Sequence, residues 1–240
     1  MRRRQRLGFW YRLVIAVVKP LLVVFTKRDW RGMDNLPATG GIIVAANHVS
    51  ELDPLVLGHY LYDLGRAPRF LAKAELFRKP PLKWIFEGAK QIPVYRHAPD
   101  ASAALRPAVE ALQRGECVLI YPEGSATRDP ELWPMRARTG VARLALLSGA
   151  PVIPIAQWGP QEILPYKATR PHLLPRHTMR ILTGPPVDLS DYLGKPMTAE
   201  LLRAATDTVM RRIADQLAEL RGGTPPNEFY DMAARGKESA

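Results

Sequence analysis

Apolar positions along the chain follow two different periods. Short runs rich in β-branched residues and bounded by turn residues predict buried strands, while the stretches between them repeat apolar positions at helical spacing. The predicted strands are 41–46 (GIIVAA), 69–73 (RFLAK), 91–95 (QIPVY), 117–121 (CVLIY), 152–158 (VIPIAQW) and 179–184 (MRILTG). The predicted helices are 54–64, 101–115, 139–150 and 199–221. This alternation indicates an α/β fold with a central, mostly parallel or mixed sheet flanked by helices.

The first 29 residues have a different pattern. Their apolar stretch is interrupted by Arg12 and Lys19, and no small-x-small cleavage site follows, which argues against a signal peptide. The uninterrupted runs fall short of the roughly 20 apolar residues that a bilayer span needs. Pro20 predicts a break, so we expect two short helices, apolar on one side, that lie in a membrane interface. The alternative is one helix that packs against the core.

The chain carries a formal net charge of +11, from 34 Lys and Arg against 23 Asp and Glu. Such a surplus favours an anionic partner, which could be nucleic acid, an anionic membrane surface or a phosphorylated substrate; solubility alone is the other explanation. No basic stripe with interleaved aromatic residues and no nucleic-acid motif is present, so nucleic acid is not expected. The basic cluster at residues 2–4 favours an anionic membrane. A single cysteine, Cys117, excludes an internal disulfide and fits a reducing compartment.

These patterns predict three parts of the chain. Residues 1–29 form a membrane-anchoring element, residues 30–221 form one catalytic domain, and residues 222–240 form a polar, loosely attached tail. The predicted location is therefore the membrane surface, as a peripheral or monotopic protein.

The first chemical motif is NHVSELDP at residues 47–54, directly after the first predicted strand. Asp53 before Pro54 suits a helix N-cap, and capping alone would explain the aspartate. Asp53 could also bond one ring nitrogen of His48 and leave the other to accept a proton from a hydroxyl, with Asn47 holding the turn. The remaining histidines show no metal-ligand spacing, so no metal site is expected.

The second motif, YPEGS at 121–125, turns out of another predicted strand. Gly124 allows a close backbone approach to a ligand, and Glu123 can accept a hydrogen bond from a hydroxyl. Basic residues stand at or after the strand ends, where guanidinium groups suit a phosphate. They are Lys73, Arg96, Arg128, Arg136 and Arg138.

Taken in order, these blocks resemble the glycerophospholipid acyltransferase family, in particular its bacterial 1-acylglycerol-3-phosphate acyltransferases. NHVSELD (47–53) is similar to the N-H-x-x-x-x-D block, GAKQIPVYR (88–96) to the second block, YPEGS (121–125) to F-P-E-G-T and VIPIA (152–156) to the fourth. AKAELF (72–77) resembles the segment whose lysine faces the substrate phosphate. The likeness covers roughly residues 30 to 190.

The resemblance implies a mechanism. His48, oriented by Asp53, would act as general base on a glycerol hydroxyl, which attacks an acyl thioester carried by coenzyme A or acyl carrier protein. Lys73 and Arg96 would bind the acceptor phosphate, and Glu123, Gly124 and Ser125 would help hold the acceptor. No cofactor is implied beyond the co-substrate. The basic N-terminus is similar to the two-helix element by which bacterial members sit on the cytoplasmic face of the inner membrane.

Two departures from the family pattern concern the acceptor. The arginine after E-G-T is replaced by Ala126, and Arg128 could substitute for it. The lysine before the next glycine is replaced by either Arg136 or Arg138, of which Arg138 is preferred. The expected product is phosphatidic acid, while the same chemistry on glycerol 3-phosphate, a lyso-ornithine lipid or a glycolipid remains an alternative. A non-catalytic protein that binds anionic lipid or nucleic acid is a further, less favoured alternative.

Overall fold

A mixed sheet of seven strands organises the computed structural model, which describes residues 7–94 and 102–232. The strand order is β1-β7-β6-β2-β5-β3-β4, and the pairing is parallel except between β6 and β7. The strands are β1 (Thr26–Arg31), β2 (Ile42–Ala46), β3 (Pro68–Lys73), β4 (Ile92–Val94), β5 (Cys117–Ile120), β6 (Val152–Trp158) and β7 (His177–Thr183). The predicted α/β class with a mixed sheet is confirmed.

Seven α-helices accompany the sheet in the described residues. They are α1 (Phe9–Phe25), α2 (Asp53–Asp63), α3 (Leu82–Gly88), α4 (Arg106–Gln113), α5 (Gly140–Ser148), α6 (Pro160–Ile163) and α7 (Ala199–Arg221). Residues of α4, α5 and α7 share one buried apolar cluster with the sheet, and residues of α2 share another. Because both faces are covered, the central strands can be apolar throughout, as the sequence pattern indicated.

The central strand β2 pairs with β5 on one side and β6 on the other, and all five of its residues are buried. Val44 lies opposite Leu119 and Ile153. The chain leaves the carboxyl end of this strand directly into Asn47 and His48. The position of the motif is therefore fixed by the most buried strand of the sheet.

The last helix follows its sequence pattern closely. The predicted bounds 199–221 match α7, and Thr198 caps it by accepting the amide hydrogen of Leu201 at 3.2 Å. Its apolar stripe is buried, including Val209, Ile213 and Leu217. A long amphipathic helix with a capping threonine is the pattern that sequence reasoning identifies best.

The N-terminal element differs from its prediction, since α1 is one helix and not two. Pro20 lies inside it and removes one backbone hydrogen bond, but neighbours hold the helix on both sides of that position. Tyr11 is buried against Ala67 and Ala89, and the Lys19 ammonium contacts the Asp63 carboxylate. Among the described residues, no helix has the length and apolar character to cross a membrane.

The strand β1 was not predicted because its sequence, TKRDWR, contains no apolar run. It is an edge strand that pairs in parallel with β7, and an edge strand tolerates charge on its exposed side. The predicted boundary between residues 29 and 30 falls inside β1. Helices α3 and α6, both short, were also missed, and the helix predicted over 101–115 is described as α4 with a preceding 3₁₀ turn.

Gly41 shows how tightly β2 is held. A β-carbon built on Gly41 would stand 2.1 Å from the carbonyl oxygen of Leu112, at the end of α4. We predict that Gly41→Ala separates α4 from β2 and lowers the free energy of unfolding by about 1–3 kcal/mol, the usual cost of overpacking. Urea denaturation measures this, with the exposed nearby Thr39→Ala as control. Equal urea midpoints for the two variants would contradict the prediction, because they would show that α4 moves away from Gly41 at no cost in stability.

Candidate active site

Asn47 fastens the end of β2 to the end of β6. Its side-chain amide donates to the carbonyl oxygen of Gln157 at 3.0 Å, and its Oδ1 accepts the Gln157 amide hydrogen at 2.8 Å. The Gln157 side chain donates back to the Asn47 carbonyl oxygen at 3.0 Å. Asn47 is 1% exposed, so its amide is used entirely by the scaffold. These contacts tie the start of the turn to β6, while the predicted contact of Asn47 with a substrate stays a prediction.

The His48 imidazole and the Asp53 carboxyl group are in direct contact. Nδ1 of His48 lies 2.7 Å from Oδ2 of Asp53. The same oxygen accepts the backbone amide hydrogens of Val49, at 2.6 Å, and Ser50, at 2.9 Å. Because a carboxylate accepts and does not donate, Nδ1 carries the proton and Nε2 is left with its lone pair. The predicted pair is therefore assembled in the structure.

Asp53 does not cap its helix as the sequence suggested. It is the first residue of α2, Leu52 occupies the N-cap position, and the carboxyl group points back to the preceding loop. The side chain is fully buried, and burial raises the pKa of Asp53 while hydrogen bonds from His48 and the loop amides lower it. Its role is to fold the 48–50 loop around one oxygen.

The backbone of His48 is clamped from both sides by the chain segment after β5. Its amide hydrogen is donated to Oε1 of Glu123 at 2.9 Å, and its carbonyl oxygen accepts the amide hydrogen of Thr127 at 2.7 Å. The imidazole stacks on the Tyr121 ring, with centroids 4.4 Å apart. The two motifs of the sequence therefore meet at one residue, and the histidine is held in both position and orientation.

Glu123 reaches the site, but its described contacts differ from the expected acceptor binding. Oε2 accepts the amide hydrogen of Met135 at 2.8 Å, so that both carboxyl oxygens bind backbone. The residue is 4% exposed, and burial raises the pKa of Glu123 to about 8, although the two amide hydrogen bonds lower it. Glu123 joins two loops beneath the histidine.

A cavity of about 1220 Å³ opens over His48. Apolar side chains from α1, α2, β3 and α3 line it, with Val14, Leu55, Phe70 and Ile85 among them. Basic side chains line it as well, including Lys73, Arg128, Arg138 and Arg143. The cavity thus offers both apolar and cationic lining beside the same imidazole.

The predicted basic residues differ in whether they line the cavity. Lys73, at the end of β3, lines the cavity and is exposed, as are Arg128 and Arg138. Arg136 pairs with Asp231 at 2.6 Å and does not line the cavity, which supports the preference for Arg138. Arg96 lies outside the described residues.

The E-G-S turn supplies two further features. Gly124 has φ +79°, a left-handed conformation that favours glycine. The Ser125 hydroxyl lines the cavity and, although shielded from solvent, has no hydrogen-bond partner among the described residues. Ala126, at the position of the family's arginine, is 1% exposed, so that a long side chain has no space there. Arg128 lies over the Tyr166 ring at 5.9 Å instead.

This arrangement supports one kind of chemistry. Nε2 of His48 can take a proton from a hydroxyl group in the cavity, and Asp53 stabilises the imidazolium that results. The single cysteine does not serve as a nucleophile, because burial raises the pKa of Cys117 to about 12 and keeps its thiol protonated. No group of three or more metal-ligand side chains comes together in the part of the chain that the structure describes.

Comparison with known proteins agrees with this geometry. The model of the family described as Acyltransferase matches residues 27–158, more than half of the chain. The chain belongs to the acyltransferase family. The matched region contains the His48 and Asp53 pair, the E-G-S turn and the β6 strand that anchors Asn47.

Named relatives of this acyltransferase include two 1-acyl-sn-glycerol-3-phosphate acyltransferases. The Bacillus subtilis protein is 31% identical over 188 residues, which cover 76% of this chain and 84% of the relative. The chloroplastic Brassica napus protein is 30% identical over 143 residues, 59% of this chain and 40% of the relative. A crystal structure of the Thermotoga maritima 1-acyl-sn-glycerophosphate acyltransferase shares the fold, with a TM-score of 0.64 at 24% identity, over 87% of this chain and 80% of that one.

Several site residues of the acyltransferase were not found from the sequence. Tyr121 was assigned to a strand, and its stacking on His48 depends on the turn that follows. Arg143, on α5, lines the cavity and donates to the Ser102 hydroxyl at 3.2 Å. The available signal was a cation inside the apolar run of the predicted helix and close to its start, where the helix dipole disfavours positive charge.

The raised pKa of Glu123 gives a stability prediction. Its ordinary value is 4.5 and its folded value about 8, so between these pH values the folded protein holds a proton that the unfolded chain releases. This contribution to stability is present below about pH 4.5 and is lost as pH rises toward 8. We predict that Glu123→Gln flattens this decline between pH 5 and 8 and also lowers stability by about 1–3 kcal/mol, because its amide nitrogen cannot accept from a backbone N–H.

Urea unfolding at pH 5, 6.5 and 8 measures both effects, with the exposed Glu219→Gln as control. A pH dependence in Glu123→Gln as steep as in the parent chain would contradict the assignment.

Proposed function

We propose that this acyltransferase transfers a fatty acyl group from an acyl thioester to the free hydroxyl of an acylated glycerol phosphate, so that phosphatidic acid forms. The observation that carries the proposal is the His48–Asp53 pair beside a cavity that both apolar and cationic side chains line. The names of the Bacillus subtilis and Brassica napus relatives support the acceptor. Coenzyme A or acyl carrier protein supplies the thioester, and the proposed reaction uses no further cofactor.

The acyl group and the proton move in opposite directions between the two substrates. Nε2 of His48 accepts the proton of the glycerol hydroxyl as its oxygen attacks the thioester carbonyl. The carbon–sulfur bond then breaks, and the thiolate leaves with the proton that His48 returns. The protein contributes the base and the nucleophile belongs to the substrate, so that no acyl-enzyme forms. Asp53 stabilises the imidazolium between these steps.

The cationic and the apolar side chains of the cavity suit different parts of the two substrates. Lys73, Arg128 and Arg138 have no carboxylate within ion-pair distance among the described residues, and they suit the phosphate groups of acceptor and donor. The apolar walls suit fatty acyl chains. The unpartnered Ser125 hydroxyl can bond the acceptor backbone. Arg96, outside the described residues, keeps its proposed phosphate role.

An exposed apolar ridge on α1 supports a peripheral membrane location. We define the ridge as Phe9, Leu13, Val17, Leu21 and Val24, whose exposed fractions range from 42% to 72%. Trp84 of α3 is 53% exposed, and the basic residues Arg12 and Lys83 are exposed as well. A contiguous apolar surface fringed with cations and an indole suits the headgroup region of an anionic membrane. The cytoplasmic face of the inner membrane is the proposed site.

The dyad gives the first test of function. We predict that His48→Ala abolishes acyl transfer from acyl-CoA to lysophosphatidate, and that Asp53→Asn reduces kcat by about 10²–10⁴-fold, because the asparagine Oδ1 still accepts the loop amides but supplies no charge. Radiolabelled product formation by purified protein measures both. His172→Ala, a histidine that does not line the cavity, is the control. Transfer that survives in His48→Ala would exclude this base.

Product analysis on lysophosphatidate, glycerol 3-phosphate and a lyso-ornithine lipid tests the acceptor separately. Preference for an acceptor without a glycerol phosphate would overturn the proposed substrate but retain the chemistry.

The ridge gives a membrane prediction. Deleting residues 1–29 is unsuitable, because it removes strand residues of β1 and a cavity wall. We predict that the Phe9→Asp and Leu21→Asp double variant binds anionic vesicles at least about tenfold more weakly, since two large apolar side chains lose their burial in lipid. Neither residue lines the cavity, so transfer to a soluble short-chain acceptor stays intact.

Vesicle cosedimentation measures the binding. The Leu193→Asp and Met197→Asp double variant is the matched control, because these residues are 55% and 40% exposed but lie outside the ridge. An equal effect of the control variant would assign the loss to net charge alone.

A further inference from the structure

Part of the predicted C-terminal tail, residues 225–232, is held to the domain by specific contacts, and residues 233–240 lie outside the described residues. Its anchor on α7 is Arg211, whose guanidinium donates to the carbonyl oxygens of Pro226 and Asn227, both at 2.7 Å. The same group lies over the Phe229 ring at 4.9 Å, and Phe229 packs against the main apolar cluster. We call residues 225–232 the strap.

The strap runs beside the loop between the E-G-S turn and α5. Tyr230 forms an isolated parallel bridge with Met135, and its carbonyl oxygen accepts the amide hydrogen of Arg136 at 2.9 Å. The Arg136 guanidinium binds the Asp231 carboxylate at 2.6 Å. Met232, the last described residue, lines the cavity. Tyr230 and Asp231 therefore contact the loop before α5, and Met232 contacts the cavity.

Successive contacts lead from the strap to the histidine. Arg136 is held by the strap, and the adjacent Met135, which is 1% exposed, donates its amide hydrogen to Oε2 of Glu123. The other oxygen of Glu123 accepts the amide hydrogen of His48. Each contact fixes backbone, and the bonds that involve Glu123 are shielded from water, where a misplaced donor is costly.

We propose that the strap positions His48 for the transfer reaction, with Arg136 and Asp231 as positioning residues that act through Met135 and Glu123. The proposal rests on the proposed function, in which His48 is the base. Displacement of the strap shifts Met135, removes one of the two donors that orient Glu123 and loosens the turn beneath the imidazole. A base displaced by a fraction of an ångström loses rate far more than substrate affinity.

Charge exchange tests the strap. We expect Arg136→Asp and Asp231→Arg each to lower kcat for lysophosphatidate acylation about tenfold, with KM changed less than about twofold, because the base and not the binding surface is displaced. The double variant restores the ion pair in reverse and recovers most of kcat. Unchanged kcat in the single variants, or a loss that the double variant does not recover, would overturn the proposal.

The control exchange is Arg106→Glu with Glu110→Arg, an exposed ion pair of 3.3 Å on α4. Because it contacts neither the strap nor the loop, its single variants keep the parent kcat. A loss in these control variants equal to that at Arg136 and Asp231 would show a general charge effect and would also overturn the proposal.

Amide hydrogen exchange tests the strap without any assay of activity. We expect the amide hydrogens of His48, Met135 and Arg136 to exchange faster in Asp231→Arg than in the parent chain and to recover in the double variant, while Val44 in β2 is unaffected. Unaltered exchange at His48 and Met135 would overturn the proposed positioning role of the strap. A parent protein that acylates no lysophosphatidate would overturn the proposed function but leave this measurement valid.

Discussion

The site depends on one buried oxygen atom. Oδ2 of Asp53 lies within hydrogen-bond distance of the His48 imidazole and of two backbone amides of the same loop. A single acceptor thus decides the path of the loop, the tautomer of the histidine and the direction in which its free nitrogen points. The surrounding structure excludes water from this oxygen, because Asp53 is fully buried beneath the loop. The second carboxyl group, Glu123, also accepts backbone amide hydrogens, one on each oxygen. Both acids therefore organise main chain around the histidine.

The sheet explains why residues distant in sequence converge on this point. β2, β5 and β3 are neighbouring parallel strands, so their carboxyl ends share one edge of the sheet. His48, the E-G-S turn and Lys73 follow these three strands in that order across the sheet. The elements around this edge supply different chemistry. Apolar side chains come mainly from α1, α2 and α3, and cationic side chains include Lys73 at the end of β3, two arginines of the loop before α5 and Arg143 of α5.

Sequence reasoning succeeded where a local pattern determines structure. The apolar runs of β2 and β6 and the capped amphipathic stripe of α7 needed no tertiary information. The contact between His48 and Asp53 followed from their spacing and from the chemistry of imidazole and carboxylate. The elements that were not predicted depend on tertiary contacts. β1 can carry charged residues because it is an edge strand, and α1 continues through Pro20 because its neighbours support it. Residues 225–232 are held by polar and cation–π contacts, which produce no apolar pattern in the sequence. The hydrogen-bond partners of the two Glu123 oxygens could not be predicted from the sequence, because a carboxylate accepts equally well from a substrate hydroxyl and from a backbone amide.

Helix α1 belongs to two environments at once. Leu13 and Val17 are among its exposed residues and also line the cavity, so the outer surface and the inner wall meet along one helix. A lipid that travels through bulk water exposes its chain at a cost of about 0.8 kcal/mol per methylene group. A lipid that slides from a bilayer along this shared wall keeps its chain in an apolar medium throughout. Turnover would then follow the mole fraction of acceptor within the lipid surface, and dilution of that surface with inert lipid would slow the enzyme even at constant total substrate.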